Sequence, residues 1–146
     1  MVVMRKIALI GIFLITISVC TAQKDIIYDD VGIMCLNLSG LSRGLIISTS
    51  DEYKELLKNL SPHPECTSYS LPEIDFNSKT LLGLRVNSKG CSAPEYFRRI
   101  YMVNGEVVFN VDIKENGMCK MLHQVTYWVT IPKEFGEKVQ FITNMK

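Results

Sequence analysis

No two cysteines in this 146-residue sequence stand at Cys-x-x-Cys spacing, and only two histidines occur, His63 and His123. The first absence removes the usual framework of a zinc site. The second leaves metal or proton-transfer chemistry few side chains to draw on, and no carboxylate is singled out as partner for a two-histidine site. An excess of one charge is missing too. The 16 basic side chains face 15 acidic ones, which argues against a nucleic-acid partner, since that needs a basic face. There is no internal repeat, no low-complexity segment and no linker that would split the chain.

What is present begins with a leader. Arg5 and Lys6 precede an apolar run from Ile7 to Val19, and Cys20-Thr21-Ala22 follows with small residues at the cleavage positions. Residues 1–22 therefore read as a secretory signal cut before Gln23, leaving residues 23–146 as a single exported domain. The run is shorter than the roughly 20 residues of a membrane-spanning helix, so no transmembrane segment is expected in the mature chain. A lipoprotein anchored through Cys20 is an alternative, although Val19 stands where a lipobox places Gly, Ala or Ser. Either way the location is secreted or periplasmic. Loss of Arg5 and Lys6 leaves 14 basic against 15 acidic side chains.

Four cysteines then remain: Cys35, Cys66, Cys91 and Cys119. An even count in an exported chain implies two disulfides. Three connectivities are open. Cys91–Cys119 with Cys35–Cys66 is favoured, because Cys91 ends one expected strand and Cys119 begins another. Closing the loop from Cys91 to Cys119 would contribute about 3–4 kcal/mol in the chain-entropy picture.

One stretch carries helix signals. Thr49 and Glu52 form a capping box, and Tyr53, Leu56, Leu57 and Leu60 recur on one helical face. The helix should run from about Ser50 to Leu60 and stop at Ser61-Pro62-His63-Pro64. The rest alternates as strands do. A ragged strand is expected around Gly32–Leu38, with Asp29 and Asp30 as interruptions before it, and a short one at Leu45–Ile47. Ile74 and Phe76 flank Asp75 as if entering a core. Lys79 to Val86 should be a strand buried in part on both faces, Leu81 opposing Leu82, Leu84 and Val86. A Gly90-Cys91 exit and a Ser92-Ala93-Pro94 loop lead into a meander: Tyr96–Val103, an Asn104-Gly105 hairpin turn of type I′, Glu106–Lys114, a second turn at Asn116-Gly117, and Cys119–Ile131. Val139, Phe141 and Thr143 close the chain. The expected class is α+β, a mostly antiparallel, disulfide-stapled meander with one amphipathic helix packed on it.

No catalytic constellation is read, no Gly-x-Ser-x-Gly elbow is expected, and no serine is taken as a nucleophile. His63 lies between prolines as a loop residue, and His123 lies in a strand. Asp75 is expected to accept backbone N–H groups in the turn through Asn77 and Ser78. Arg98 and Arg99, beside Tyr96, Phe97 and Tyr101, form a candidate partner surface together with Ser92, Ala93 and Pro94.

The sequences Tyr53-Lys54-Glu55-Leu56-Leu57 and Ile74-Asp75-Phe76-Asn77-Ser78-Lys79-Thr80-Leu81-Leu82, followed by Gly90-Cys91, resemble the PrcB-like family of exported bacterial protease-complex subunits, in its C-terminal domain. The likeness spans roughly Ile46 to Phe141. It implies a non-enzymatic module that helps a surface protease complex assemble and persist, and it carries over no catalytic residue. The expectation is an exported protein-binding module whose partner is an exported protein such as a protease, with no cofactor and no metal. A small hydrolase or ligand-binding enzyme built around Asp75 or His123, and a structural component of the cell envelope, are the alternatives.

Overall fold

The structure is a computed structural model and describes residues 23–32, 36–37, 44–59, 61–62 and 72–146. The leader, His63, Cys35 and Cys66 lie outside the described residues, and so does the expected Cys35–Cys66 bond. Mostly antiparallel sheet is seen, with one α-helix and the Cys91–Cys119 disulfide.

Two long strands dominate, β6 (Lys79–Val103) and β7 (Glu106–Pro132). They form one hairpin, closed at Asn104-Gly105, where φ is 53° and 81° as a type I′ turn requires. Pairing runs without slippage from Lys79↔Pro132 to Gly90↔Met121, and again from Glu95↔Lys114 to Val103↔Glu106, with register shifts between. The expected meander is thus corrected. Gly90-Cys91 is no exit, and Ser92–Pro94 is no free loop, because the chain stays paired through bulges that tolerate the proline's missing N–H. Asn116-Gly117 is no hairpin turn either. Residues 106–114 and 121–132 do not pair with each other; each pairs with its own half of β6.

At the bulges the hairpin folds back on itself. Tyr127 pairs with Leu84, so on a flat ribbon Tyr96 would lie about 40 Å away; the two rings are 5.9 Å apart instead. Two walls, residues 79–90/121–132 and 95–103/106–114, therefore face each other. Leu82, Leu84, Val86, Val129 and Ile131 from the first wall share one cluster with Ile100, Val107, Phe109, Val111 and Ile113 from the second. The alternation of Val107, Phe109, Val111 and Ile113 aims these side chains inward, as the period-2 pattern demands. Full burial stabilises each large apolar side chain by about 1.5–3 kcal/mol.

The N-terminal segment laces the walls together. β1 (Lys24–Asp25) pairs with Tyr101 and Met102, and β2 (Asp29–Asp30) with Val129 and Thr130. Asp29 and Asp30, expected as interruptions, are strand residues. Their exposed carboxylates meet Lys79 at 2.8 Å and Arg98, so the charges reach solvent and partners without entering the core. β3 (Leu36–Asn37) pairs with β5 (Ser61–Pro62) in a separate small sheet. This is the described remnant of the strand expected at Gly32–Leu38.

β4 (Gly44–Ile47) pairs antiparallel with β6, and β8 (Val139–Met145) runs parallel to β7 from Val107 to Ile113. α1 (Ser50–Asn59) begins on the expected capping box. The Glu52 N–H donates to Thr49 Oγ1 at 3.2 Å, while Glu52 Oε2 accepts the N–H groups of Ser48 at 2.8 Å and Thr49 at 3.1 Å. These bonds, that from Ser48 foremost, hold the Glu52 carboxyl below its usual range. Tyr53 is buried in a second cluster with Ile47, Phe76, Leu81 and Trp128, flanked by half-buried Leu56, Leu57 and Ile74. The first wall is therefore apolar on both faces. Trp128 lies across Gly83, where a Cβ would stand 2.5 Å from its ring.

Candidate functional site

The fold-back region gathers most of the residues singled out from sequence. Cys91 and Cys119 are disulfide-bonded, with Cα atoms 4.6 Å apart. Opposite Cys91 alone, between the pairs Gly90↔Met121 and Ser92↔Asn116, stand Gly117, Met118, Cys119 and Lys120. Gly117 has φ of 78°, and a Cβ there would lie 2.7 Å from Cys91 Sγ. Only glycine combines that backbone with so close an approach to the disulfide. Asn116 Nδ2 donates to the Ala93 carbonyl at 2.9 Å, and the Lys89 N–H donates to Glu115 at 2.8 Å. The bend is thus held by a covalent bond and by side chains that cap its irregular backbone.

Its surface carries three large apolar side chains. Met118 is fully exposed, and Met121 and Leu122 are 57% and 63% exposed. Met121 and Leu122 are strand neighbours and point to opposite faces, so this end of the first wall projects into solvent on both sides. Ser92 and Ala93 are exposed beside it, and Pro94 is buried.

Arg98 and Arg99, read together from sequence, are separated onto opposite faces of β6. Arg98 turns inward. Its guanidinium lies 4.6 Å from the Tyr127 ring centre and donates to both carboxylate oxygens of Asp30. The hydrogen bonds to Asp30 raise its already high basicity. Tyr127 is pushed up to about 12, chiefly by burial. Tyr96 stands edge-on to it and shares a 3.0 Å hydrogen bond with Ser88. Arg98 is therefore built into the space between the walls. Arg99 faces outward, 3.3 Å from Asp25 and 5.8 Å from the Tyr101 ring centre.

Asp75 lies elsewhere. It accepts Ser78 Oγ–H at 2.7 Å and the Asn77 N–H at 3.0 Å, the turn role expected of it. Those bonds, Ser78 first, hold its carboxyl below the usual range, which makes it a weak base. It lines a shallow polar depression of about 340 Å³ with Ser48, Thr49, Ser50, Ile74, Phe76, Asn77 and Lys133. Lys133 Nζ donates to the Phe76 carbonyl at 2.6 Å. His123 sits on the inward face of β7 opposite Ser88, and its Nε2 is buried with no hydrogen-bond partner among the described residues.

The expectation that no Gly-x-Ser-x-Gly pattern occurs is corrected by the sequence itself. Gly40-Leu41-Ser42-Arg43-Gly44 matches Gly-x-Ser-x-Gly. A nucleophile elbow needs a helix directly after the serine; here Gly44 opens strand β4. Ser42 itself lies outside the described residues.

Among the described residues no helix is long and apolar enough to cross a membrane, and no group of three or more His, Cys, Asp or Glu side chains is placed to hold a metal. No family model, curated protein or solved structure matches the chain.

Proposed function

We propose that the chain is an exported, non-enzymatic protein-binding module that docks through the disulfide-stapled bend. The carrying observation is the exposure of Met118, Met121 and Leu122, which project from both sides of the strand end beside the Cys91–Cys119 bond. Large apolar side chains left exposed within a few residues of one another mark a candidate interaction surface. Methionine suits such surfaces because its unbranched thioether adapts to its partner. The staple lowers the ordering cost of docking, since the bend is already fixed. An intact disulfide fits an oxidising compartment, in keeping with the signal-like leader. The resemblance to protease-complex subunits suggests an exported protease or its assembly partner as the protein bound.

Immobilised oxidised chain, residues 23–146, is to be exposed to the exported fraction of its source, in parallel with the Met118→Lys/Leu122→Lys variant. One exported protein should be retained in near-equal amount by the natural chain and lost from the variant. Equal retention by both, or none by either, overturns the docking surface.

A further inference from the structure

We propose that the outer face of the second wall binds a second copy of this chain, the two faces packing across a two-fold axis that runs along the strands between β6 and β7. The contact uses residues outside the bend and does not depend on the docking role. Three observations converge on it.

The first is layering. The outer face of the first wall is covered, since Leu81 and Trp128 share a cluster with Tyr53 of α1. Among the described residues no helix packs on the outer face of the second wall. That face shows large apolar side chains to solvent instead. Phe97 is 54% exposed there. Ile26 is buried and its N–H donates to the Ile100 carbonyl at 2.9 Å. Alternation then turns Ile27 outward beside Arg99, where it is 87% exposed.

The second is self-complementarity. The registers set this face in four columns: the N-terminal segment, β6, β7 and β8. The proposed axis exchanges β6 with β7 and the N-terminal segment with β8, and it keeps the strands of the two sheets aligned, as facing sheets pack. Each residue then faces its own row-mate in the second copy. Glu95 pairs in register with Lys114, so each Glu95 faces the other copy's Lys114. Ile142 stands in the row of Arg99 and Asn110, so Ile27 faces Ile142. The charged Asp25 and Arg99 face the neutral Gln140 and Asn110. Phe97 faces Asp112, whose charge Lys146 balances at 2.7 Å. No like charges are opposed. Val108 and Asn110 are already buried, so contact over them is made through Tyr101 and Arg99.

The third is charge and area. The ion pairs Asp25–Arg99, Glu95–Lys114 and Asp112–Lys146 mix both signs on this face. A partner of one charge sign gains nothing there, while a second copy finds its own complement. Such exposed pairs are weak within one copy, so sharing them across two costs little. From Glu95 to Val103 the face is about 26 Å long, and four strands make it about 19 Å wide. That is roughly 500 Å² per copy and about 1,000 Å² for the pair, the least that a specific interface needs.

The test is sedimentation equilibrium of the oxidised chain, residues 23–146, at concentrations up to about 1 mM, with circular dichroism to check the fold of each variant. A monomer–dimer equilibrium should appear. Glu95→Lys and Lys114→Glu should each weaken it at least about tenfold, because each opposes like charges twice across the axis. Mixing the two variants should restore association, since the mixed dimer opposes unlike charges at both places while the pair within each copy stays broken. Ile27→Lys should weaken the dimer, and Leu122→Lys, at the bend, should leave it unchanged. A chain that stays monomeric to about 1 mM overturns the contact. So does a dimer that survives Glu95→Lys, or a mixture that associates no better than either variant alone. Loss of the dimer in Leu122→Lys would place the contact at the bend and overturns it as well.

Discussion

The two walls of the hairpin and the bend that joins them are made from the same two strands, yet they are held by different physics. In the walls, register is unbroken and side chains such as Leu82, Phe109, Val111 and Val129 are fully buried. In the bend, register slips twice within five residues of β6, four residues of β7 stand opposite one, and the large apolar side chains face water. Hydrophobic burial therefore organises the walls, while a disulfide, a left-handed glycine and two backbone caps organise the bend. A region fixed by covalent and local bonds is free to spend its apolar side chains on something other than the core. That freedom is why the docking reading falls on the bend.

The sharpest way to break this contrast is to damage the wall. Phe109 is fully buried and its ring lies 6.1 Å from that of Phe141 on β8. Phe109→Ala should destabilise the fold by about 3–5 kcal/mol, from lost burial plus the cavity left behind. Urea unfolding of the oxidised protein measures it. A loss below about 1 kcal/mol would mean that the walls collapse readily and are not packed as described. The next effect is smaller. Cys91→Ser/Cys119→Ser removes a cross-link spanning 28 positions and should cost about 3–4 kcal/mol, mainly by freeing the unfolded chain. Hydrogen exchange sharpens the comparison: amides at residues 115–122 should lose protection first, while those of Leu82 and Val129 open only with the whole molecule. Simultaneous loss in both regions would show that the staple supports the walls and not only the bend.

The walls were legible in the sequence and the bend was not. Strict alternation at Val107, Phe109, Val111 and Ile113 encodes one inward face, and Leu81 opposite Leu82 and Leu84 encodes burial on both faces. Asn104-Gly105 and the Thr49–Glu52 box are local signals with local causes, and they appear where their chemistry requires. The bend misled because Asn116-Gly117 carries turn chemistry that resembles Asn104-Gly105. Gly117 does take positive φ, but inside a bulge, since whether a glycine ends a strand or kinks it depends on which segment lies opposite. That pairing is non-local, and period-2 patterning does not report it. The same blindness joined Arg98 to Arg99. Alternation alone separates them onto opposite faces, but the cation between the walls becomes visible only once Asp30 and Tyr127 are brought to it. Met121 falls inside the expected strand Cys119–Ile131, and its exposure is hidden from the pattern for a similar reason, since it depends on what lies opposite.

The smallest expected effect probes the outer face of the second wall, where the described residues form no buried apolar cluster. Asn110 and Asp112 point outward there, and β8 is tied to them by polar contacts. Asn144 Nδ2 donates to Asn110 at 2.9 Å and to Asp112 at 3.0 Å, and Lys146 Nζ reaches Asp112 at 2.7 Å. These bonds, Lys146 first, bring the Asp112 carboxyl down from its ordinary 3.8 to about 2. A folded-state value below the unfolded one means that the unfolded chain binds the proton first. The stabilisation is therefore complete above about pH 4 and is lost as pH falls toward 2. Asp112→Asn should lower stability modestly at pH 6, and the difference from the natural chain should shrink steadily between pH 4 and pH 2. Urea unfolding across that range decides it. A difference that stays constant with pH would mean that the carboxylate's charge does not hold β8 in place. The parallel pairing and the Phe109–Phe141 contact would then hold the strand, and burial would govern the second wall's rim as it governs its interior.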